Sequence, residues 1–293
     1  MPNKNAYILI IFESIVAIVL FSFVPIIVKI VSVNVYTIGI IRLFIATIIS
    51  FLIIQKRGDL LLFYKYWKIL AVTGFFFFLH WIFFFTSIKI SSPTVASIGL
   101  STYGVQLIVF GWIFYKNKFY LSDLIAVIIA IIGNIIIVTN YNFNDIRSFG
   151  LMLGILSGFF FACIPLINQK YHQIPLLLKS FGQFLFALLF YSFFFSKTRW
   201  NLYATDWIGL MILSIFCTFI AHTLWIKVIT KLSITTTSLI HYLDLPITMI
   251  LSFFIIHETI DIVKIYGATL VIIANICGLY SQWQNDSLIS KLK

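Results

Sequence analysis

Ten stretches of mainly apolar residues follow one another along the chain, near 7–28, 35–54, 67–88, 93–115, 121–139, 150–169, 176–195, 206–227, 233–256 and 262–281. The breaks between them, such as "QKRGDLLLFYKY" and "HETIDIVK", are too short to hold a soluble domain. A helix needs about 20 apolar residues to cross the hydrocarbon layer of a bilayer. With 61 % apolar residues, 32 Phe and 10 % charged side chains, the chain carries more apolar surface than a water-facing fold can hide. Transmembrane β-barrels alternate apolar with polar residues, whereas these runs are apolar on every face. The sequence therefore predicts an all-α polytopic membrane protein of ten transmembrane helices.

The net charge of +11 does not point to nucleic acid, because the cations sit in short caps between the apolar runs. They read as a topology signal. With the N-terminus in the cytoplasm, the inside caps hold thirteen Lys and Arg and the outside caps six, with Arg42 left over inside the second span. That bias places both termini in the cytoplasm, in a multi-pass protein of the bacterial inner membrane. The first run is long enough to span and shows no cleavage site followed by a soluble domain, so it reads as a retained helix. Cys163, Cys217 and Cys277 fall inside apolar runs without metal-ligand spacing and read as core residues.

The chain repeats itself. At an offset of 141 residues, "AVIIAIIGNIIIV" from Ala126 falls on "GATLVIIANICGL" from Gly267, and Asn134 on Asn275. "SPTVAS" from Ser92 falls on "SITTTS" from Ser233, Lys29 on Lys170, Ala46 on Ala187 and Phe78 on Phe219. The two units are 1–141 and 148–285, each of five spans. An odd number of spans sends the second unit into the membrane in the opposite sense, the inverted-topology repeat of secondary transporters, whose substrate site lies near the midplane between the halves.

On these residues the chain resembles a known family. "HWIFFFTSIKISSPTVASIGLSTYG" from His80 is similar to the third and fourth helices of EamA-type members of the drug/metabolite transporter superfamily, and "FFIIHETIDIVKIYGATLVIIANICGL" from Phe253 to their final hairpin. The resemblance covers essentially the whole chain and implies a ten-helix inner-membrane carrier of small metabolites, often amino acids or their relatives, working by alternating access. Two positions depart from the pattern: Asn117 stands where Glu258 falls in the second unit, and "TYGVQ", Thr102 to Gln106, lacks the proline that relatives commonly place there.

Polar groups inside the spans mark the candidate site, because a buried ionisable group needs a partner or a water-filled cavity. Thr237, His241, Asp244, Thr248 and Ser252 recur at spacings of three or four and stack on one helix face. Pro246 frees a carbonyl one turn earlier. Asp244 overlies Tyr103 in the repeat, one turn from Gln106, so these groups approach the same central space. Thr218, His222 and Trp225 form a second stripe, with His222 over Trp81. Arg42 either pairs with a buried acid, Glu13 being the nearest unpaired one, or meets an anionic substrate group. The substrate-binding set is thus Tyr103, Gln106, His241, Asp244, Trp81, His222, Trp225 and Arg42. Glu258, Asp261 and Lys264 read as a helix cap and solvated ion pair at an outer turn. Gly154, Gly158 and Ala162 read as a stripe for close helix packing.

The expected function is alternating-access transport of a small organic metabolite, an amino acid or an amino-acid-derived or adenosine-bearing compound, with no cofactor and no metal. Proton coupling and exchange both stay open, as do monomer and homodimer, uptake and export. The rival from another class is a membrane-embedded enzyme using His241 and Asp244 as an acid–base pair, although no hydrolase or zinc-protease motif accompanies them. A channel would need a filter-like loop or charged rings, which the sequence lacks.

Overall fold

The computed structural model describes the chain except residues 1–3, 59, 116–120, 141–144, 233–236, 238–239 and 292–293, and leaves some further side chains undescribed, among them Asn134, Asn275 and those after Cys277. The asparagine match, Asn117 and most of "SITTTS" therefore lie outside the described residues. The described residues form helices and no strands.

The first unit contains α1 Lys4–Ile30, α2 Val35–Arg57, α3 Leu60–Ile90, α4 Pro93–Ser101, α5 Tyr103–Tyr115 and α6 Leu121–Asn140. In the second, α7 Ile146–Lys170 and α8 Leu176–Ser192 are followed by α9 Ala204–Ile212, a π-helical segment Leu213–Ile220, α10 Ala221–Lys231, α11 Asp244–Ile256 and α12 Ile262–Lys291. Taken as crossings, α4 with α5 is one, α9 through α10 is another, and the ten predicted spans are present. Among the described residues, six helices are long and apolar enough to span by length and composition alone. Large apolar side chains such as Phe12, Ile48, Phe114 and Phe254 stand exposed around the outside, where lipid supplies the apolar surroundings.

Local chemistry explains the boundaries. Asn34 caps α2 by accepting from the Thr37 backbone N–H at 3.1 Å, and Gly58 ends it in the left-handed region at φ 76°. Ser92 caps α4 ahead of Pro93, whose missing N–H has no helical partner at that position. Asp145 caps α7.

The packing reveals the symmetry of the two units. α3 lies against α7, and its counterpart α10 lies against α1; α3 also lies against α8, as the π segment does against α2. α4 packs on α7 as α11 packs on α1, and the self-related pairs α6–α12 and α4–α11 are both in contact. Each of these contacts has its mirror, as a twofold exchange of inverted repeats demands. Where α4 meets α7, a Cβ on Gly99 would fall 2.9 Å from Gly154 Cα and 2.7 Å from the Leu151 carbonyl oxygen. In lipid, where burial of apolar surface between helices supplies little drive, such close backbone approach is what holds helices together.

Candidate functional site

Both units interrupt a helix at the same repeat position. The first breaks at Thr102, between α4 and α5; the second turns through Tyr242 and Leu243 before α11 begins. The residues restarting the helices, Tyr103 and Asp244, are the pair that the 141-residue offset superposes. Pro246 is the third residue of α11, within the first turn, where a backbone N–H has no partner inside the helix. It therefore starts α11 rather than kinking a continuous one. The first unit has no proline there; instead Thr102 turns its hydroxyl back onto the Gly99 carbonyl at 2.7 Å. Interrupted helices of this kind put polar groups at membrane depth.

Trp81, His222, His241 and Asp244 converge on one void, with Phe21, His80 and Phe161 among its other walls. Tyr103 and Trp225 close around His241, at ring-centroid distances of 4.8 and 5.4 Å. His222 sits edge-on to Trp81 at 5.4 Å and 4.5 Å from Phe21. Asp244 takes a hydrogen bond from Ser22 of the first unit at 2.8 Å. The stripe Thr237, His241, Asp244, Thr248 and Ser252 is buried throughout, so it faces the bundle interior. The void itself is small, about 20 Å³, which is room for a water or two.

Two of the eight residues stand apart from this space. Gln106 turns to α7 and donates to the Ile155 carbonyl at 3.1 Å, with Thr102 Oγ1 also at 3.1 Å. Arg42 lies behind Trp81, its guanidinium carbon 3.9 Å from the ring centroid. Glu13 is not free to pair with it, because Glu13 forms an ion pair with Lys227 of α10. The outer turn is also tighter than a solvated pair. Glu258 and Lys264 meet at 3.2 Å with both side chains about 7 % exposed, and Glu258 also accepts from the Thr94 hydroxyl at 3.0 Å, across the two units.

These features agree with what sequence comparison finds. The model of the EamA-like transporter family matches residues 6–139 and again 148–279. The chain belongs to the EamA-like transporter family. That family belongs to the drug/metabolite transporter superfamily, and its model recurs along this chain as two copies of one unit. The chain is 23 % identical over 204 residues to an uncharacterized transporter, YxxF, of Bacillus subtilis (strain 168), covering 66 % of each chain. It is 26 % identical over 202 residues to an uncharacterized transporter of Archaeoglobus fulgidus, covering 67 % of this chain and 64 % of that one. The matches thus span just under two thirds of the length of these relatives. A crystal structure shares the fold with a TM-score of 0.68 at 12 % identity, over 94 % of this chain and 98 % of the other.

In this EamA-like chain side chains tie helices together towards both ends of the bundle. At one end Asp206 of α9 holds the Ser32 backbone N–H at 2.7 Å and hydroxyl at 2.6 Å, and Lys29 reaches the Ser91 carbonyl at 2.8 Å. At the opposite end stands the Glu13–Lys227 pair. Sequence reasoning missed Ser22, which lies 222 residues from its partner, and Ser157, whose hydroxyl is 2.8 Å from His80 Nδ1. It also missed the π-helical segment that delivers His222 and Trp225; its counterpart in α3 is plain α-helix, and no residue type signals the difference. π-helical turns of this kind are frequent at functional sites.

Proposed function

We propose that the chain carries a small organic metabolite, an amino acid or an amino-acid-derived or adenosine-bearing compound, across the bacterial inner membrane by alternating access. The observation that carries this reading is the convergence of buried polar and aromatic groups from both units on one small void at the two helix breaks. In the present arrangement the void has room only for water. Rocking of the units 1–141 and 148–285 about this point would widen it, with Tyr103, His241, Asp244, Trp81, His222 and Trp225 forming the walls, Arg42 behind them and Gln106 steadying the α5–α7 contact. The Lys and Arg distribution supports a cytoplasmic location for both termini, and hence for the Glu13–Lys227 end.

The arrangement of Asp244 on Ser22 and of His241 among rings supports a binding wall better than an acid–base pair. A screen of the metabolite pool for uptake and efflux in cells expressing the chain tests the proposal, followed by counterflow in liposomes. Saturable counterflow of an intact solute is the expected result. Chemical alteration of the solute, or flux without counterflow, would overturn it.

A further inference from the structure

Arg42 is 0 % exposed, yet its Nε, Nη1 and Nη2 make no hydrogen bond among the described residues. Its guanidinium stacks on Trp81 and lies 5.1 Å from the Phe85 ring centroid. Stacking uses only the face of the group; the five N–H bonds lie in its plane and point outward from the edge. The acids of the spans nearest the centre have partners of their own, Glu13 pairing with Lys227 and Asp244 accepting from Ser22. Burying a charge without a partner is strongly unfavourable, so its retention asks for an acceptor that arrives from outside the chain.

The surroundings specify that acceptor. Trp81 Nε1 and Tyr191 Oη are buried without a partner among the described residues; Trp81 carries the stacked guanidinium, and Tyr191 packs over Gly39, one turn before Arg42. The neighbourhood is rich in donors and holds a single fixed positive charge. A guanidinium edge matches a carboxylate through two parallel N–H···O bonds. A phosphate dianion would ask for a second cation, and Lys29, Lys89 and Lys227 are bound at the ends of the bundle. Trp81 also lines the central void, which places Arg42 one side chain from the path of a solute.

We propose that the cargo bears a carboxylate and that Arg42, held face-on by Trp81, receives it edge-on. This rests on the transport reading above and narrows it, excluding cargo that is only neutral or cationic.

The test uses the full-length protein in nanodiscs and its thermal unfolding. The probes are amino acids, 2-keto acids and short-chain carboxylic acids, each beside its primary amide. The expected result is that at least one free acid raises the unfolding temperature while its amide does not. Arg42→Gln abolishes that response, and Arg42→Lys keeps it with an affinity weakened about ten-fold or more, because an ammonium cannot form the paired bonds. Arg42→Gln itself should unfold at or above the wild-type temperature, since it removes an unpaired charge. Equal responses to acid and amide, an undiminished response in Arg42→Gln, or no response to any acid would each overturn the proposal. Counterflow with the same protein in liposomes separates the two readings: counterflow of an intact solute with a carboxylate-blind response sinks this inference and leaves transport standing.

Discussion

Ser22 and Asp244, 222 residues apart, meet at 2.8 Å in the middle of the bundle. The serine belongs to the first helix of one unit and the aspartate opens the restarted helix of the other, so this hydrogen bond joins the two halves at the candidate site.

That bond makes a graded prediction. Asp244→Asn keeps the shape and removes the acid, and should lower transport by about ten-fold or more without loss of membrane insertion. Ser22→Ala leaves the carboxylate without this donor, a deletion costing roughly 1.5–3 kcal/mol, and should lower both transport and thermal stability. Initial counterflow rates, normalised to folded protein, measure both. Wild-type rates in Asp244→Asn would remove Asp244 from the site.

His241 lies between the rings of Tyr103, Phe161 and Trp225. His241→Ala should reshape the selectivity of transport more than it lowers expression, because the rings it separates belong to both units. Competition profiles against a panel of metabolites would show this. Identical profiles for variant and parent would count against a binding role.

The Gly99–Gly154 contact predicts a stability effect rather than a functional one. At Gly99 a larger side chain meets backbone, which cannot swing away. Gly99→Val should cost about 1–3 kcal/mol through overpacking, read as a lower unfolding temperature. An unchanged temperature would mean that α4 and α7 are not in close contact.

Glu258 serves two partners across the units, Lys264 and Thr94. Glu258→Ala strands the buried lysine charge, and removing one member of a buried pair costs roughly 3–5 kcal/mol. The expected result is a marked loss of stability, partly restored in the double variant Glu258→Ala with Lys264→Met. A stability loss within noise would restore the view of this turn as a solvated ion pair.

Much of the architecture was legible because one gapless offset ran through all ten spans, and an offset carries information about symmetry. It superposes Tyr103 on Asp244, and each of these residues restarts a broken helix. The break in the first unit was less legible, because Thr102 achieves it with a hydroxyl bonded to Gly99 where a proline would have announced it. Partners were the least legible. Nothing local tells Glu13 that its cation is Lys227, 214 residues away, or Asp244 that Ser22 faces it. Arg42 showed the same limit in reverse: its depth was evident from position, but only the packing shows that none of the described acids has come to meet it.

The most direct test of the account is to lock one end of the bundle. Glu13 and Lys227 join α1 to α10, one from each unit, and transport by rocking requires that link to open. In a variant without Cys163, Cys217 and Cys277, Glu13→Cys and Lys227→Cys can be bridged by a short reducible cross-linker and counterflow measured before and after reduction. The account predicts that bridging lowers counterflow about ten-fold or more and that reduction restores it. Counterflow that continues at the same rate in the bridged protein would contradict it.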